Sequence, residues 1–449
     1  MQCLNGSYFV TSSKCICLVL LRSRKLMDEY LVKFISLIEQ HKRLGNDKSI
    51  CIALFSLLCI GEIGSQNKVS NEELLFCLLT DLFHCNISEG KITSAISLGA
   101  LSCGHVEYFL PKILSVFQYE KNMQSLYLRT LKEITTRCLE KESRSFFQCY
   151  AEDIQTLVLK SCDFSQEEQK TLAGDVIFRL WVGHKSTSFI LSLFESSSSE
   201  VRELALAVFL SAFSNGKEHT NKELLTQHLG KVFLLAADSQ LSVRKRAFSV
   251  ISTLIYGDPP LLESCIDKFL PLLLKQTLVD ETLIKEVHMG PFVHRKDDGV
   301  ELRKAAYEIL RAVIENYDIS DSLSLVMTSL LQGLKDDDDV KLIVYRILRR
   351  AVQIFPQEIY KNIEKIVENL IATLKKSIIK KDDVQSEANK KKEVVCSAIK
   401  LVLALKDHDV SGKHKKLEEL LSGIRQSVHF KKILEALRHE DTRALQYSQ

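Results

Sequence analysis

The sequence contains little glycine and proline. There are 17 glycines and six prolines among 449 residues, roughly one residue in twenty, where an average protein has about one in eight. β-Sandwiches and barrels use both residues in turns, and nucleotide-binding α/β folds use glycine in phosphate loops. The scarcity excludes collagen-like and low-complexity chains and predicts an almost wholly helical protein. With 46% apolar and 26% charged residues, the chain can bury a core, which excludes disorder throughout.

A large charge excess and clustered cysteines are also absent. The sequence has 60 Lys and Arg residues and 57 Asp and Glu residues. This surplus of positive charge is too small for a general nucleic-acid binder, although binding through a local basic patch stays possible. The 13 cysteines are scattered and only Cys15 and Cys17 lie close together, so no CxxC pair and no zinc site is predicted. We expect free, buried thiols in a reducing compartment. We expect the protein in the cytoplasm and the nucleus.

Long apolar runs are missing as well. The longest, residues 15–21, has about seven apolar residues, whereas a membrane-spanning helix needs about 20. A weak signal peptide is the alternative interpretation, but no small-residue cleavage site follows before Arg22. We therefore predict no membrane span and expect residues 1–24 to form an irregular segment or a frayed first helix.

Catalytic motifs are not found. The sequence contains no GxGxxG, GxxxxGK[ST], HExxH or GxSxG pattern. Its most suggestive histidine pair, His288 and His294, is six residues apart, which does not place two metal ligands on one helix face. We expect no enzyme activity, no cofactor and no metal.

A short pattern recurs along the chain. A polar turn is followed by Val-Arg and then by small and apolar residues, at Val201-Arg202 and again at Val243-Arg244. Their spacing of 42 residues lies within the 40–47-residue period of HEAT and armadillo repeats. Weaker copies begin at Ile92, Leu302 and Val340.

Each copy predicts a helical hairpin. Apolar residues from Val243 to Leu254 form one stripe of a helix, and the preceding segment, residues 227–237, has the same rhythm. Only a neighbouring pair can cover the apolar face that each pair leaves, so the sequence predicts an all-α HEAT/armadillo-like superhelix, a solenoid. About nine or ten pairs fill residues 25–440, and residues 441–449 should fray.

One repeat is longer than the others. The copies at Val243 and Leu302 are 59 residues apart, about 17 to 20 more than the period allows. The excess falls at residues 283–299, where apolar and polar residues alternate around Gly290-Pro291, a turn signal. We predict a short β-hairpin that projects from the stack and whose apolar side chains need a partner. A loop folded back on its own repeat is the alternative.

Two runs of charge remain. Asp336 to Asp339 fall where a repeat turn should lie, and we interpret them as a helix cap and solvated turn, because EF-hand spacing is absent. Residues 375–392 are rich in lysine. We interpret this segment as a solvated loop, with a basic interaction patch as the alternative.

Several stretches are more specific than the repeat phrase. They are residues 54–64, 98–99, 108–111, 125–134, 284–307 and 333–336. In these stretches the chain resembles the cullin-associated, neddylation-dissociated proteins, also called TATA-binding-protein-interacting proteins. The resemblance covers roughly residues 45–436 and only the family's carboxy-terminal third, and the TATA-binding-protein-interacting type of region lies at about residues 240–405.

The resemblance implies a non-enzymatic scaffold. Members of the family wrap around an unneddylated cullin and its RING partner, block the cullin's modification lysine, and compete with adaptor–substrate-receptor modules, which regulates assembly of cullin-RING (SCF-type) ubiquitin ligases. Their carboxy-terminal repeats lie against the cullin's amino-terminal domain, and the projecting hairpin occupies part of the adaptor's docking site. By resemblance, Val287, Met289 and Phe292 are anchors. The implied partner-binding residues are Ile284, Val287, His288, Met289, Gly290, Pro291, Phe292, His294, Asp297, Asp298 and Gly299.

A second interpretation stays open at this point. A HEAT-repeat scaffold could instead hold a general transcription factor, such as TATA-binding protein, through its concave face and the lysine-rich loop. Such binding would weaken steeply with salt and would survive loss of the insertion. Neither interpretation involves direct contact with nucleic acid or membrane.

Overall fold

A computed structural model describes most of the chain, as helices stacked in two units. The units are Met1–His228 and Leu229–Gln449. The residues described are 6–41, 47–184, 187–215, 222–289, 292–378, 385–409, 412 and 414–446.

The first unit is a two-layer stack. Helices α3, α5, α7, α9 and α11 pack on one another in one layer, and α2, α4, α6, α8 and α10 each pack on the helix that follows. The helices are α1 (Gly6–Leu20), α2 (Arg24–His41), α3 (Asp47–Gln66), α4 (Glu72–Asp81), α5 (Ser88–Ser102), α6 (Val106–Tyr119), α7 (Gln124–Glu140), α8 (Arg144–Ser161), α9 (Glu167–His184), α10 (Thr187–Phe194) and α11 (Ser199–Asn215), with α12 (Lys222–Leu235) crossing into the second unit.

The second unit repeats this plan and carries a hairpin. Helices α13, α15, α17 and α20 form one layer, with α14 on α15, α16 on α17 and α19 on α20. Its elements are α13 (Leu241–Gly257), α14 (Ile266–Gln276), β1 (Ile284–Met289), β2 (Phe292–Asp297), α15 (Val300–Asn316), α16 (Leu323–Gly333), α17 (Asp338–Ile354), α18 (Pro356–Lys361), α19 (Ile363–Lys376), α20 (Gln385–Asp407), α21 (Lys415–Gln426) and α22 (Val428–Gln446).

The layer that holds the Val-Arg helices is buried on several sides. Helix α9 contacts α7 and α11 within its layer and α8 across it, and every one of its residues from 172 to 181 is buried. Asp175 within this stretch accepts a hydrogen bond from the Ser211 hydroxyl at 2.7 Å and pairs with Lys132. Apolar burial thus drives the stacking, and ion pairs between successive helices accompany it.

The predicted all-α stack with one β-hairpin is confirmed. In the described residues, each helix of nine pairs packs on its partner: α2–α3, α4–α5, α6–α7, α8–α9, α10–α11, α14–α15, α16–α17, α19–α20 and α21–α22. Within the same residues, the two strands of the hairpin are the only strands.

Helices reach into both ends of the described chain. Residues 1–24 were expected to form an irregular segment or a frayed first helix, and Gly6–Leu20 is helix α1, with Cys17 and Leu20 buried and the helix packed on α3. Four polar residues, 11–14, interrupt its apolar pattern. At the other end, α22 continues to Gln446, within the tail that was expected to fray.

Helix α3 is long and apolar enough to cross a membrane, judged by length and composition alone. Serines and glycines divide its apolar residues, so it contains no long uninterrupted apolar run. In the structure, 56% of its apolar stretch is buried, α3 packs on α1, α2 and α5, and Glu62 within it pairs with Arg137 of α7 at 2.6 Å. This packing is typical of a core helix in a stack.

Helices α5 and α7 approach each other closely at Gly99. A Cβ atom added there would lie 2.6 Å from Glu133 Cβ and 2.7 Å from the Thr130 carbonyl oxygen. The Thr130 hydroxyl also donates to the Ala95 carbonyl at 3.1 Å. Since the nearest atoms include backbone, the contact can be relieved only by moving the helices apart.

We expect Gly99→Ala to lower the free energy of unfolding by about 1–3 kcal/mol, as overpacking does. Gly230→Ala is the matched control, because a Cβ there meets nothing within 4 Å and alanine favours helix by about 1 kcal/mol. Urea unfolding followed by circular dichroism should therefore show opposite signs for the two substitutions. Equal effects would contradict the close approach of α5 and α7.

Candidate partner-binding hairpin

The inserted hairpin is regular over both strands. Strands β1 and β2 pair antiparallel, from Ile284 opposite Asp297 to Met289 opposite Phe292. Directly opposed residues share a face, and faces alternate along each strand. The register therefore places positions 285, 287 and 289 on one face together with positions 292, 294 and 296.

Two apolar side chains of the hairpin are exposed. Val287 is 41% exposed and Val293 is 56% exposed, and the register puts them on opposite faces. By register, the positions of Met289 and Phe292 share the face of Val287, so the three predicted anchors are brought together. The side chains of His288, Met289, Phe292 and His294, and all of Gly290 and Pro291, lie outside the described residues.

Two lysines close the root of the hairpin around one carboxylate. Lys285 and Lys296 are opposed in the register, and their ammonium groups lie 2.7 and 3.0 Å from the two Asp298 oxygens. The Asp298 backbone N–H donates to the Leu283 carbonyl at 3.1 Å. Hydrogen bonds from Lys285 first, and then from Lys296, lower the pKa of Asp298 to about 2.

A buried arginine joins the hairpin to the helices. Arg303, in the first turn of α15, is 2% exposed. Its Nη2 donates to Asp297 of the hairpin at 2.9 Å and to Asp336 at 2.7 Å, and its Nε donates to Asp336 at 2.7 Å. We call these three residues the Arg303 clamp. Burial alone would lower the pKa of Arg303, but the bonds to Asp336 and Asp297 raise it above its usual value.

Gly299 is needed where the hairpin meets α15. Its backbone N–H donates to Asp297 Oδ1 at 2.8 Å. A Cβ there would lie 3.1 Å from atoms of Arg303, Asp297 and Leu283. A larger residue would therefore crowd the guanidinium of the clamp. Asp297, Asp298 and Gly299, assigned to partner binding by resemblance, are thus placed where they hold the hairpin.

The acidic run differs from its interpretation as a solvated turn. The first carboxylate, Asp336, is 6% exposed and belongs to the Arg303 clamp. Asp337 is the expected cap of α17 and accepts from the Asp339 backbone N–H at 2.9 Å. Asp339 in turn pairs with Lys390 at 2.8 Å. The prediction was wrong for Asp336 because its partner lies 33 residues earlier, beyond any local pattern.

The lysine-rich segment is partly neutralised. Lys390 reaches Asp339, and Lys391 pairs with Glu387 at 2.9 Å. Residues 379–384 of this segment lie outside the described residues. The cationic surface at α20 is therefore smaller than the lysine count indicates.

The described part of the chain contains no group of three or more His, Cys, Asp or Glu side chains that could hold a metal ion. What the root of the hairpin offers is a support for exposed side chains that ion pairs and hydrogen bonds hold in place. The hairpin was predicted from the sequence, but the roles of Arg303, Lys285 and Lys296 at its root were not. The available signal was that Arg303 repeats the Val-Arg position of Arg244.

We expect Arg303→Met to lower the free energy of unfolding by about 3–5 kcal/mol, because it leaves Asp336 buried without its cation. Arg295→Ala is the matched control: Arg295 pairs with Glu281 at 2.9 Å, but both side chains are exposed, so the loss should be at most about 1 kcal/mol. Urea unfolding of the two variants measures the difference. Similar losses in the free energy of unfolding for the two variants would mean that the buried Arg303 clamp stabilises the fold no more than an exposed ion pair does.

We expect the Asp298 carboxyl to titrate near pH 2. Because its pKa is lowered in the folded state, the stability it contributes is present above about pH 4 and is lost as the pH falls toward 2. Lys285→Ala and Lys296→Ala should each raise the pKa toward about 3.9, whereas Lys268→Ala on α14 should leave it unchanged. Carboxyl carbon NMR titration measures this. If neither lysine substitution changed the pKa of Asp298, the two lysines could not be the reason that this pKa is low.

The hairpin lies within a segment that matches a known protein family. Residues 261–426 match the family described as TATA-binding protein interacting (TIP20), where the sequence indicated about 240–405. Cullin-associated NEDD8-dissociated protein 1 of Drosophila melanogaster is 26% identical over 97% of this chain and 34% of its own length. Cullin-associated NEDD8-dissociated protein 2 of Rattus norvegicus is 24% identical over 87% of this chain and 30% of its own length.

A third relative is itself a partial protein. Cullin-associated NEDD8-dissociated protein 1, C-terminal part, of Emericella nidulans is 23% identical over 76% of this chain and 33% of its own length. The chain spans about a third of the length of each of these relatives.

Solved structures support the fold. Kap95p with RanGDP superposes with a TM-score of 0.53 over 89% of this chain and 50% of that chain, at 11% identity. Kap121p bound to RanGTP gives 0.50 over 94% of this chain and 44% of that chain, at 14% identity. These proteins are HEAT solenoids, so the predicted HEAT-type fold is confirmed. Together, the sequence matches show that the chain is similar to the carboxy-terminal region of the cullin-associated NEDD8-dissociated proteins and that its residues 261–426 match the TATA-binding protein interacting (TIP20) family.

Proposed function

We propose that this protein is a non-enzymatic scaffold that binds a cullin and competes with adaptor–substrate-receptor modules for it. The observation that carries the proposal is the inserted hairpin, which exposes apolar side chains on a rigid root within the matched region. The relatives are named for association with cullins and for dissociation connected with NEDD8. We place the protein in the cytoplasm and the nucleus.

The hairpin is the proposed contact with the cullin's amino-terminal domain. Burying a fully exposed valine contributes about 1.5–3 kcal/mol, and Val287 and Val293 are each about half exposed before binding. Anchors held in place before association bind more tightly, because less conformational entropy is lost. The Arg303 clamp and the two lysines on Asp298 supply that order at the root.

Competition follows from the location of the contact. A hairpin on the adaptor's docking site and an adaptor on the same site exclude each other by overlap. Binding of the scaffold then lowers the apparent affinity of the adaptor module by mass action, and the reverse holds equally. Exchange of receptor modules needs no catalytic group in this scheme.

A second candidate partner is TATA-binding protein, which the description of the matched family names. The cationic surface at α20 would be its contact, with a steep dependence on salt. Lys390 and Lys391 already pair with carboxylates, and this favours the cullin.

The decisive experiment is a binding assay with an unmodified cullin. Changing Val287, Met289 and Phe292 together to Ala should raise the dissociation constant at least about tenfold, because these positions are the proposed anchors. A triple change of exposed apolar residues elsewhere, Val32, Leu74 and Leu325 to Ala, is the matched control and should change it less than about twofold.

Added adaptor should release the wild-type protein from the cullin, and the amount released should rise with adaptor concentration. Equal retention of both triple variants, or no binding by any form, would overturn the proposed role. Binding of TATA-binding protein that survives the hairpin change and falls steeply with salt would favour the second candidate.

A further inference from the structure

A pocket of about 320 Å³ lies at the root of the hairpin. It is bounded by the end of α14, the 3₁₀ turn Glu281–Leu283, and the first turns of α13 and α15. Arg244 enters it from α13, Lys275 from α14 and Arg303 from α15. Three cationic side chains from three elements thus converge on one cavity.

Two of these cations have nitrogen atoms without a hydrogen-bond partner. In the described part of the chain, Arg303 Nη1 and Arg244 Nε are buried and donate a hydrogen bond to no acceptor. The remaining Arg303 donors are used by the clamp, and Arg244 Nη1 makes only long contacts, 3.3 Å to Gln276 and 3.5 Å to Asp280. A buried guanidinium with free N–H groups favours an added acceptor.

The acidic groups of the pocket are already occupied. Asp280 Oδ1 accepts from the Thr282 backbone N–H at 3.1 Å and from the Thr282 hydroxyl, and its other oxygen faces Arg244. Glu281 pairs with Arg295 outside the pocket at 2.9 Å. The unmet hydrogen-bonding capacity is therefore that of donors, so a fitting ligand is an acceptor with negative charge.

Within the described ranges, one cation of the pocket has no carboxylate partner, and one wall of the pocket carries no side chain. Lys275 is exposed, and no carboxylate lies within ion-pair distance of it among the described residues. At Gly299 the absence of a Cβ keeps the space beside Arg303 Nη1 free. Leu278 and Val279, both about half exposed, add an apolar rim.

We propose that this pocket binds the carboxylate of an Asp or Glu side chain presented by a protein partner beside the hairpin, with an apolar neighbour of that residue on Leu278 and Val279. Lys275 and Arg244 bind the carboxylate. The apolar rim makes the pocket prefer a polypeptide, which has an apolar neighbour to place there, over a small anion, which has none. The inference rests on the proposed function in that it adds a second contact to the same surface, but its chemistry does not depend on which protein is bound.

The direct test uses the full chain and a short peptide. Acetyl-Leu-Glu-Leu-amide is titrated while the NMR signal of the Arg244 Nε–H group is followed, with acetyl-Leu-Gln-Leu-amide as the neutral control. We expect saturable shifts with the Glu peptide and at least tenfold weaker binding of the Gln peptide. Lys275→Glu should abolish the shifts, Lys275→Arg should retain them, and Lys268→Glu, on the exposed side of the same helix, should change nothing.

Inorganic phosphate is the third probe. If phosphate binds as tightly as the Glu peptide, the site is a general anion site and the assignment to a carboxylate side chain is overturned. Absence of any shift with the Glu peptide, or shifts that survive Lys275→Glu, overturns it as well. Arg303 is left unchanged throughout, because the clamp depends on it.

The same variants are then compared in cullin binding. With the hairpin intact, Lys275→Glu should weaken binding about tenfold and Lys268→Glu less than twofold. If the wild-type chain binds no cullin, the proposed function fails, while the peptide titration still decides the pocket. If cullin binding is normal in Lys275→Glu, the pocket takes no part in that contact and the inference is overturned while the proposed function stands.

Discussion

Arg303 donates hydrogen bonds in two directions, to Asp297 at the end of the hairpin and to Asp336 at the start of the next repeat. A guanidinium is well suited to this, because its five N–H groups lie in a fixed plane and the group stays protonated up to a pH above about 12. The hairpin is therefore fastened to the same contact that joins two successive repeats. Removing water from this contact is costly unless every charge is paired, which ties the orientation of the hairpin to the integrity of the stack.

The repeat period was sufficient to predict the stack from the sequence. Val201-Arg202 and Val243-Arg244 fix the spacing, and apolar stripes place each helix pair, because these features are local and repeat with the geometry of the helix. The break in the period likewise predicted the hairpin, and its register brings the positions of Val287, Met289 and Phe292 to one face.

Features that depend on distant residues could not be predicted in this way. The burial of Asp336 requires an arginine 33 positions earlier, and nothing in four consecutive aspartates separates a buried carboxylate from a solvated one. The first helix is a second example, since polar residues interrupt its apolar pattern and its packing on α3 and α2 is seen only in the folded chain. In the site, the bonds of Asp297, Asp298 and Gly299 within the hairpin's own root could not be read from the sequence. The assignment of these three residues to partner binding stays a prediction.

Within the insertion, the residues that fix the hairpin and the residues that it exposes are different, and this has an evolutionary consequence. The residues that fix the hairpin lie at its two ends, beside Leu283 and Gly299, while the exposed valines lie further along the strands. Under the proposed function, selection on stability and selection on partner choice act on different positions of the same short segment. Substitutions near the tip would then change which surface is recognised without disturbing the repeats, so the insertion would diversify between related proteins while the scaffold that carries it stays the same.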